Sequence, residues 1–303
     1  MRRKINLTLL ILALLIGLPY YWLLLDNRPG ESEPKPLTIA ELRTLAASLP
    51  GPAPTAVEVE LVGYRHLPRN LFAAGHGMKR ALIGVMAWQL PVPGYRPVII
   101  DTGLHPIDAE TMGMTAYWPE RQRKVDRAMA GAGLILATHE HPDHLGALAR
   151  AGGAPLLKAA MLNAGQLPQS PLAAQLPWRG ERPPAKLSAA APHAVAPGVV
   201  VIPAPSHTPG SQMVFVRLAD GREILFAGDI ATLAASWKDL RARSRLVGDY
   251  LAPENRGEVY AWLKTIRILK GQAPEMVVIP GHDYEWIASN PQARALVHTG
   301  FRQ

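Results

Sequence analysis

The chain has no cysteine. Any metal it binds must be held by histidine and oxygen donors, which excludes thiolate zinc sites, iron–sulfur clusters and disulfides together. It also lacks a G-x-G-x-x-G or Walker sequence and any repeat of about 20 to 50 residues, so phosphate-cradling glycine loops and solenoids are set aside. The net charge of +8 comes without a long Lys/Arg run, so it reads as a solvated basic surface, and nucleic acid is not the expected partner.

One stretch lacks charge altogether. Ile5 to Leu25 holds no acidic or basic residue, follows Arg2-Arg3-Lys4 and precedes Asp26, Arg28, Glu31 and Glu33. As a helix it would span roughly 30 Å, enough for one membrane crossing. Its end, Leu18-Pro19-Tyr20-Tyr21-Trp22, has no small-x-small cleavage site, so a retained signal anchor is expected, with secretion after cleavage as the alternative. The aromatic rings suit the headgroup level, and the basic end fixes everything after Leu25 on the exported, periplasmic or extracellular side.

Three regions follow: a transmembrane segment at 1–26, a Pro-rich linker at 27–54 and a catalytic domain at 55–303. Within the linker, Thr38-Ile39-Ala40-Glu41 has capping-box spacing and opens a short helix to about Leu49, whose shared face of Ile39, Leu42, Leu45 and Leu49 is expected to pack on the domain. Strands are expected at Val57–Val62, Ala81–Leu90, Val98–Ile100, Leu134–Ala137, Pro155–Lys158, Val199–Ile202, Met213–Leu218, Glu223–Phe226 and Met276–Ile279. Asp220-Gly221 marks a hairpin. Helices are expected at Glu120–Ala130, Leu145–Ala151, Asn255–Lys270 with Gly271 as terminator, and from Asn290. Ala164 to Pro197, with little periodicity, reads as a long surface excursion. The mixed order of strands and helices predicts a layered α/β domain.

The chemistry concentrates where strands stop. Leu134-Ile135-Leu136-Ala137 runs into His139-Glu140-His141-Pro142-Asp143-His144, and three later strands run into Ser206-His207-Thr208-Pro209-Gly210, Gly228-Asp229 and Gly281-His282-Asp283. If those strands are neighbours, five histidines and two aspartates meet at one edge, a donor set suited to two cations that share a carboxylate.

These motifs, with Asp101-Thr102-Gly103 upstream, resemble the metallo-β-lactamase superfamily in content and order from Val57 to Asp283. The resemblance implies a four-layer αββα sandwich behind the N-terminal transmembrane helix. It further implies that His139, His141 and His207 hold one metal, Asp143, His144 and His282 the other, and that Asp229 bridges them. Zinc is the expected ion, with iron, manganese and cobalt also compatible. A hydroxide between the two cations is the implied nucleophile, Asp143 orients it and moves a proton, and Asp101 hydrogen-bonds a ligand imidazole.

Departures narrow the reaction. Oxygen-reducing diiron members carry glutamate where His141 stands, and β-lactamases of the superfamily generally lack the bridging aspartate that Asp229 supplies. Only 21 residues follow His282, which leaves no room for the helical C-terminal domain of glyoxalase-type members. Acyl-homoserine lactonases have a similar ending but place a tyrosine where Thr232 stands. The expectation is a membrane-anchored, binuclear hydrolase of a small ester, lactone or phosphodiester. The alternatives are a β-lactamase or nucleic-acid-processing member and a non-catalytic metal-binding scaffold. Two further readings concern the rim: the basic stretch from Thr232 to Asp249 as a contact for an anionic substrate or a solvent-facing helix, and the loop from Tyr64 to Arg80 as a flap. His66, His76, His105, His193 and His298 are read as lying outside the site.

Overall fold

Val199-Val200-Val201-Ile202 is apolar on both faces of a strand, and both faces are covered. Val199 and Val201 enter a core between two sheets, whereas Val200 and Ile202 enter one shared with helices Ile39–Ala46 and Arg256–Gln272. Successive side chains leave a strand on opposite faces, so an unbroken apolar run is what a doubly covered strand requires.

The computed structural model describes residues 2–181 and 183–302. Its strands are β1 (Val57–Pro68), β2 (Arg80–Leu90), β3 (Val98–Thr102), β4 (Ala116–Tyr117), β5 (Leu134–Leu136) and β6 (His193–Ala196), followed by β7 (Val199–Pro203), β8 (Gln212–Arg217), β9 (Glu223–Gly228), β10 (Val277–Pro280) and β11 (Val297–Thr299). One sheet runs β11-β1-β2-β3-β5 with β4 along β1, and the other runs β10-β9-β8-β7-β6. Pairing is parallel at β1–β11, β3–β5 and β9–β10, and antiparallel elsewhere.

The sheets stack through Val59, Trp88 and Ile100 on one side and Val214, Phe226 and Ile279 on the other. Trp88 and Phe226 meet edge to face with centroids 5.1 Å apart. Helices Pro119–Gly131 and Pro142–Ala151 cover the outer face of the first sheet through Val125, Met129, Leu145 and Leu148. Helix, sheet, sheet and helix make the expected αββα sandwich.

Some elements differ from expectation. Pro155–Lys158 lies in a helix, Ala154–Ala159, with its proline in the first turn and only Leu157 buried, because Pro-Leu-Leu-Lys is too short to show the period that separates strand from helix. The helix from Arg256 runs past Gly271 to Gln272. The Thr38 capping box is formed, but its helix ends at Ala46 and leaves Leu49 exposed, while Leu37, Ile39, Leu42 and Ala46 join the outer core. The stretch after Ala164 is not wholly superficial: Leu167, Ala173 and Leu176 are buried, and Gln166 donates to the carbonyls of Ala137 and Gly210.

At the N-terminus, helix Arg2–Tyr20 continues as a wider turn over Tyr21–Leu25. Residues 4–25 are long and apolar enough to cross a membrane, and none of that segment is buried in the protein.

Candidate metal centre

Every donor segment hangs from the same end of the two sheets. β5 stops at Leu136, the chain turns through His139 and His141, and Pro142 opens a helix whose first turn carries Asp143 and His144. Across the sandwich, β7 leads to His207, β9 to Asp229 and β10 to His282. Parallel pairing of β9 and β10 aligns Gly228 with Pro280, which sets Asp229 beside His282.

The result is two donor groups. His139, His141, His207 and Asp229 form one and Asp143, His144 and His282 the other, with the donor atoms of each group within 4.8 Å of one another. His141 Nδ1 lies 2.9 Å from His139 Nε2 and 3.2 Å from His207 Nε2. In the second group His144 Nε2 and His282 Nε2 are 3.2 Å apart, and Asp143 Oδ2 is 3.6 Å from His282 Nε2. Asp229 adjoins both, with Oδ2 3.7 Å from His207 Nε2 and Oδ1 2.9 Å from His282 Nε2. All seven expected ligands are thus brought together, six of them buried and His141 half-buried.

Partners on the far side of three rings fix which nitrogen faces inward. His282 Nδ1 donates to the Gly84 carbonyl at 2.7 Å, His144 Nδ1 to Asp101 Oδ2 at 2.9 Å and His207 Nδ1 to Glu254 Oε2 at 2.8 Å. A carbonyl only accepts, so the neutral His282 ring keeps its proton on Nδ1 and its Nε2 faces the interior. There Nε2 lies 2.9 Å from Asp229 Oδ1. Burial opposes charge on His282, but Asp229 outweighs it and raises the ring, so in the metal-free protein a proton occupies the place between them that a cation would take. The donor set therefore fits a pair of divalent ions.

Electrostatics divide the two groups. Burial pushes His141 down to about 4 and, with neighbouring imidazoles and Arg243, holds His139 and His207 well below the usual histidine range. Burial opposes charge on His144 too, but Asp101, Asp143 and Asp229 outweigh it and raise that ring to about 9. Burial likewise opposes charge on Asp229, where His282 and Arg243 prevail and hold its carboxyl well below the usual range. Without metal, the three imidazoles of the first group are neutral beside an ionised Asp229, and the second group carries protons where a cation would sit.

Two residues outside the donor motifs complete the centre: Glu254, which the sequence did not single out, and Arg243, expected only as one cation of the basic stretch. Glu254, raised to about 7 by burial, orients His207, and Arg243 Nη2 donates to Asp229 Oδ2 at 2.6 Å and to Thr232 Oγ1 at 2.7 Å. Neither belongs to a motif; Glu254 stands in Ala252-Pro253-Glu254-Asn255, which reads only as the approach to a helix cap. The basic stretch is therefore neither a solvent-facing helix nor an open anion contact. Arg243 and Trp237 are buried, and Arg245 pairs with Asp26. The loop from Tyr64 to Arg80 packs rather than hangs open: β1 and β2 extend as a hairpin whose Ala73 and Ala74 are buried, with Ala74 N donating to the Ala242 carbonyl. Glu140 points away from the donors and accepts from Thr208 Oγ1 and Gly210 N, tying two donor loops together. His66, His76, His105, His193 and His298 join neither donor group. A cavity of 340 Å³ lined by Pro205, Pro209, Pro253 and Glu254 reaches His207.

The family model of the metallo-beta-lactamase superfamily matches residues 96–282. Similar solved structures include a quorum-quenching N-acyl homoserine lactone lactonase at 15% identity, covering 78% of this chain and 95% of that one with a TM-score of 0.59. An N-acyl homoserine lactone hydrolase with the product N-hexanoyl-L-homoserine bound at its catalytic metal centre is similar at 15% identity, 78% and 96% coverage and a TM-score of 0.59. A probable metal-dependent hydrolase from Staphylococcus aureus is similar at 12% identity, 76% and 90% coverage and a TM-score of 0.53. At these identities the likeness extends to the fold alone. No curated protein sequence matches the chain.

Proposed function

This chain belongs to the metallo-beta-lactamase superfamily and is a metal-dependent hydrolase, and from that premise we propose that it is membrane-anchored and cleaves a small ester, lactone or phosphodiester outside the cytoplasm. In this reading residues 1–26 are the anchor, 27–54 a connector and 55–303 the catalytic domain. His139, His141 and His207 hold one divalent ion, Asp143, His144 and His282 the other, and Asp229 serves both. Zinc suits this nitrogen and oxygen set.

The observation that carries the reading is the gathering of seven histidine and aspartate donors into two adjoining groups, with Asp229 beside both and three of the rings held by outer partners. When bound, two divalent ions supply an activated water and a Lewis acid for the scissile oxygen. The chain's own residues do the rest. Asp143, least enclosed of the three carboxylates and within 4 Å of His144 and His282, orients the attacking water and passes its proton to the leaving group. Arg243 restrains Asp229, and Asp101 and Glu254 keep their histidines in the liganding tautomer.

Anchoring is supported by the way the apolar helix ends. Asp26 pairs with Arg245 at 2.9 Å, and Gly75 N donates to the Leu24 carbonyl at 3.1 Å, so the last turn of the span is bonded into the domain. Thr232, bonded to Arg243, stands where the lactonases place a tyrosine, which favours an open-chain ester or phosphodiester over a lactone. The test is metal analysis of the purified chain followed by a panel of lactones, thioesters, phosphodiesters and β-lactams. About two divalent ions per chain and turnover lost in Asp143→Ala are expected; a folded chain free of metal, or full turnover in that variant, would refute the reading.

A further inference from the structure

We propose that the catalytic domain lies flush on the lipid surface, with the metal-bearing end of its sandwich toward the bilayer. The contact face comprises Trp22, the hairpin tip Met78–Arg80, and Tyr250 and Leu251. The inference rests on the anchor reading and goes beyond it, because an anchor alone leaves a domain free to swing.

The geometry leaves no slack for swinging. The apolar span ends at Leu25, and the next residue is already fixed: Asp26 Oδ2 pairs with Arg245, and the Asp26 carbonyl accepts from Arg256 Nη2 at 3.3 Å. The preceding turn is fixed too. The Trp22 ring lies 6.2 Å from Tyr250 and 5.2 Å from the Arg245 guanidinium, and Leu24 is bonded to Gly75 in the hairpin. Whatever touches residues 22–26 must sit at the depth where the span leaves the membrane.

The surface there has the composition of a lipid contact. Seven large apolar side chains are exposed outside the N-terminal segment among the described residues, and three of them, Met78, Tyr250 and Leu251, flank the exit of the span. Leu251 is 69% exposed. Lys79, Arg80 and Arg28 are exposed beside them, and of the acidic groups around the exit of the span Asp26 and Asp249 are paired with Arg245. Apolar and aromatic tips with cations at their margin match the acyl-headgroup boundary and an anionic leaflet. The orientation follows from the hairpin: its tip extends past Gly84, whose carbonyl holds His282, while Tyr95 sits in the turn at the other end of β2.

The absence of cysteine makes the test clean. Single variants Met78→Cys, Leu251→Cys and Tyr95→Cys of the full chain, each bearing an environment-sensitive fluorophore, are reconstituted in vesicles containing phosphatidylglycerol and a nitroxide-labelled lipid. Labels at 78 and 251 should be quenched several-fold more than the label at 95, and adding Asp26→Ala with Arg245→Ala should release them. Equal, weak quenching at all three positions in chain that stays with the vesicles after carbonate washing overturns the proposal and leaves the anchor intact. Chain washed off by carbonate overturns both.

Discussion

Glu254 touches one nitrogen of one ring, yet it decides how that ring faces the metals. Replacing its carboxylate with an amide in Glu254→Gln keeps the size and weakens the acceptor that holds His207 Nδ1. Metal affinity should drop about 10- to 100-fold with the melting curve of the metal-free chain little changed, which titration with a chromogenic chelator measures. The two donor groups should also respond differently to pH. His144 must lose a proton held up to about 9 before it can bind an ion, and so must His282, where burial is outweighed by Asp229, so affinity at their group should climb steeply with pH below about 9. His141 is already neutral above about 4, so affinity at the other group should stay level from neutral to alkaline pH. For the metal-free fold the signs oppose: the His144 contribution is complete below the unfolded pKa of about 6.5 and lost as pH rises through about 9, whereas the His141 contribution is complete above about 6.5 and lost as pH falls toward about 4. Calorimetric titration at pH 6.5 and 8.5 should show one affinity moving and one standing still.

At the scale of elements, strands read well from sequence wherever both faces are apolar and poorly where only pairing defines them. Val199–Ile202 and Ile224–Ala227 stood out because every side chain enters one of two apolar cores. β4, β6 and β11 did not, since their backbones pair at sheet edges while their side chains are half-buried or exposed. The donor motifs were legible for a related reason: polar ligands directly after apolar strands have no other economical placement. Arg243 and Glu254 were not, because nothing local distinguishes a buried arginine or glutamate from a solvated one. The glycine before His282 is structural in a specific way, as any side chain there would run into Asp229 Oδ1 and the Gly228 backbone. Gly281→Ala should cost about 1–3 kcal/mol of stability and part of the bound metal, read by denaturant unfolding and elemental analysis; unchanged values in both would contradict that account.

For the whole molecule, the boundary between connector and domain is set by burial rather than by composition. Proline-rich sequence from 27 to 54 reads as a connector, yet its short helix packs on the domain as its apolar face predicts: Leu37, Ile39, Leu42 and Ala46 join Phe215, Leu225 and Leu263 in one core. Each fully buried aliphatic chain is worth roughly 1.5–3 kcal/mol as an upper figure. A chain begun at residue 55 should therefore unfold several degrees lower, or aggregate, compared with one begun at residue 27, and a melting comparison decides it.

The spread of the donors along the chain also orders their assembly. Synthesis passes residues 139 to 144 long before it reaches His282, and β10 can align on β9 only after helix Arg256–Gln272 has crossed between them. A nascent or truncated chain can thus gather His139, His141, His207 and Asp229 while the other group still lacks its last histidine. Filling of the second position therefore waits on the last strand of the second sheet, whereas the first group needs nothing beyond Asp229.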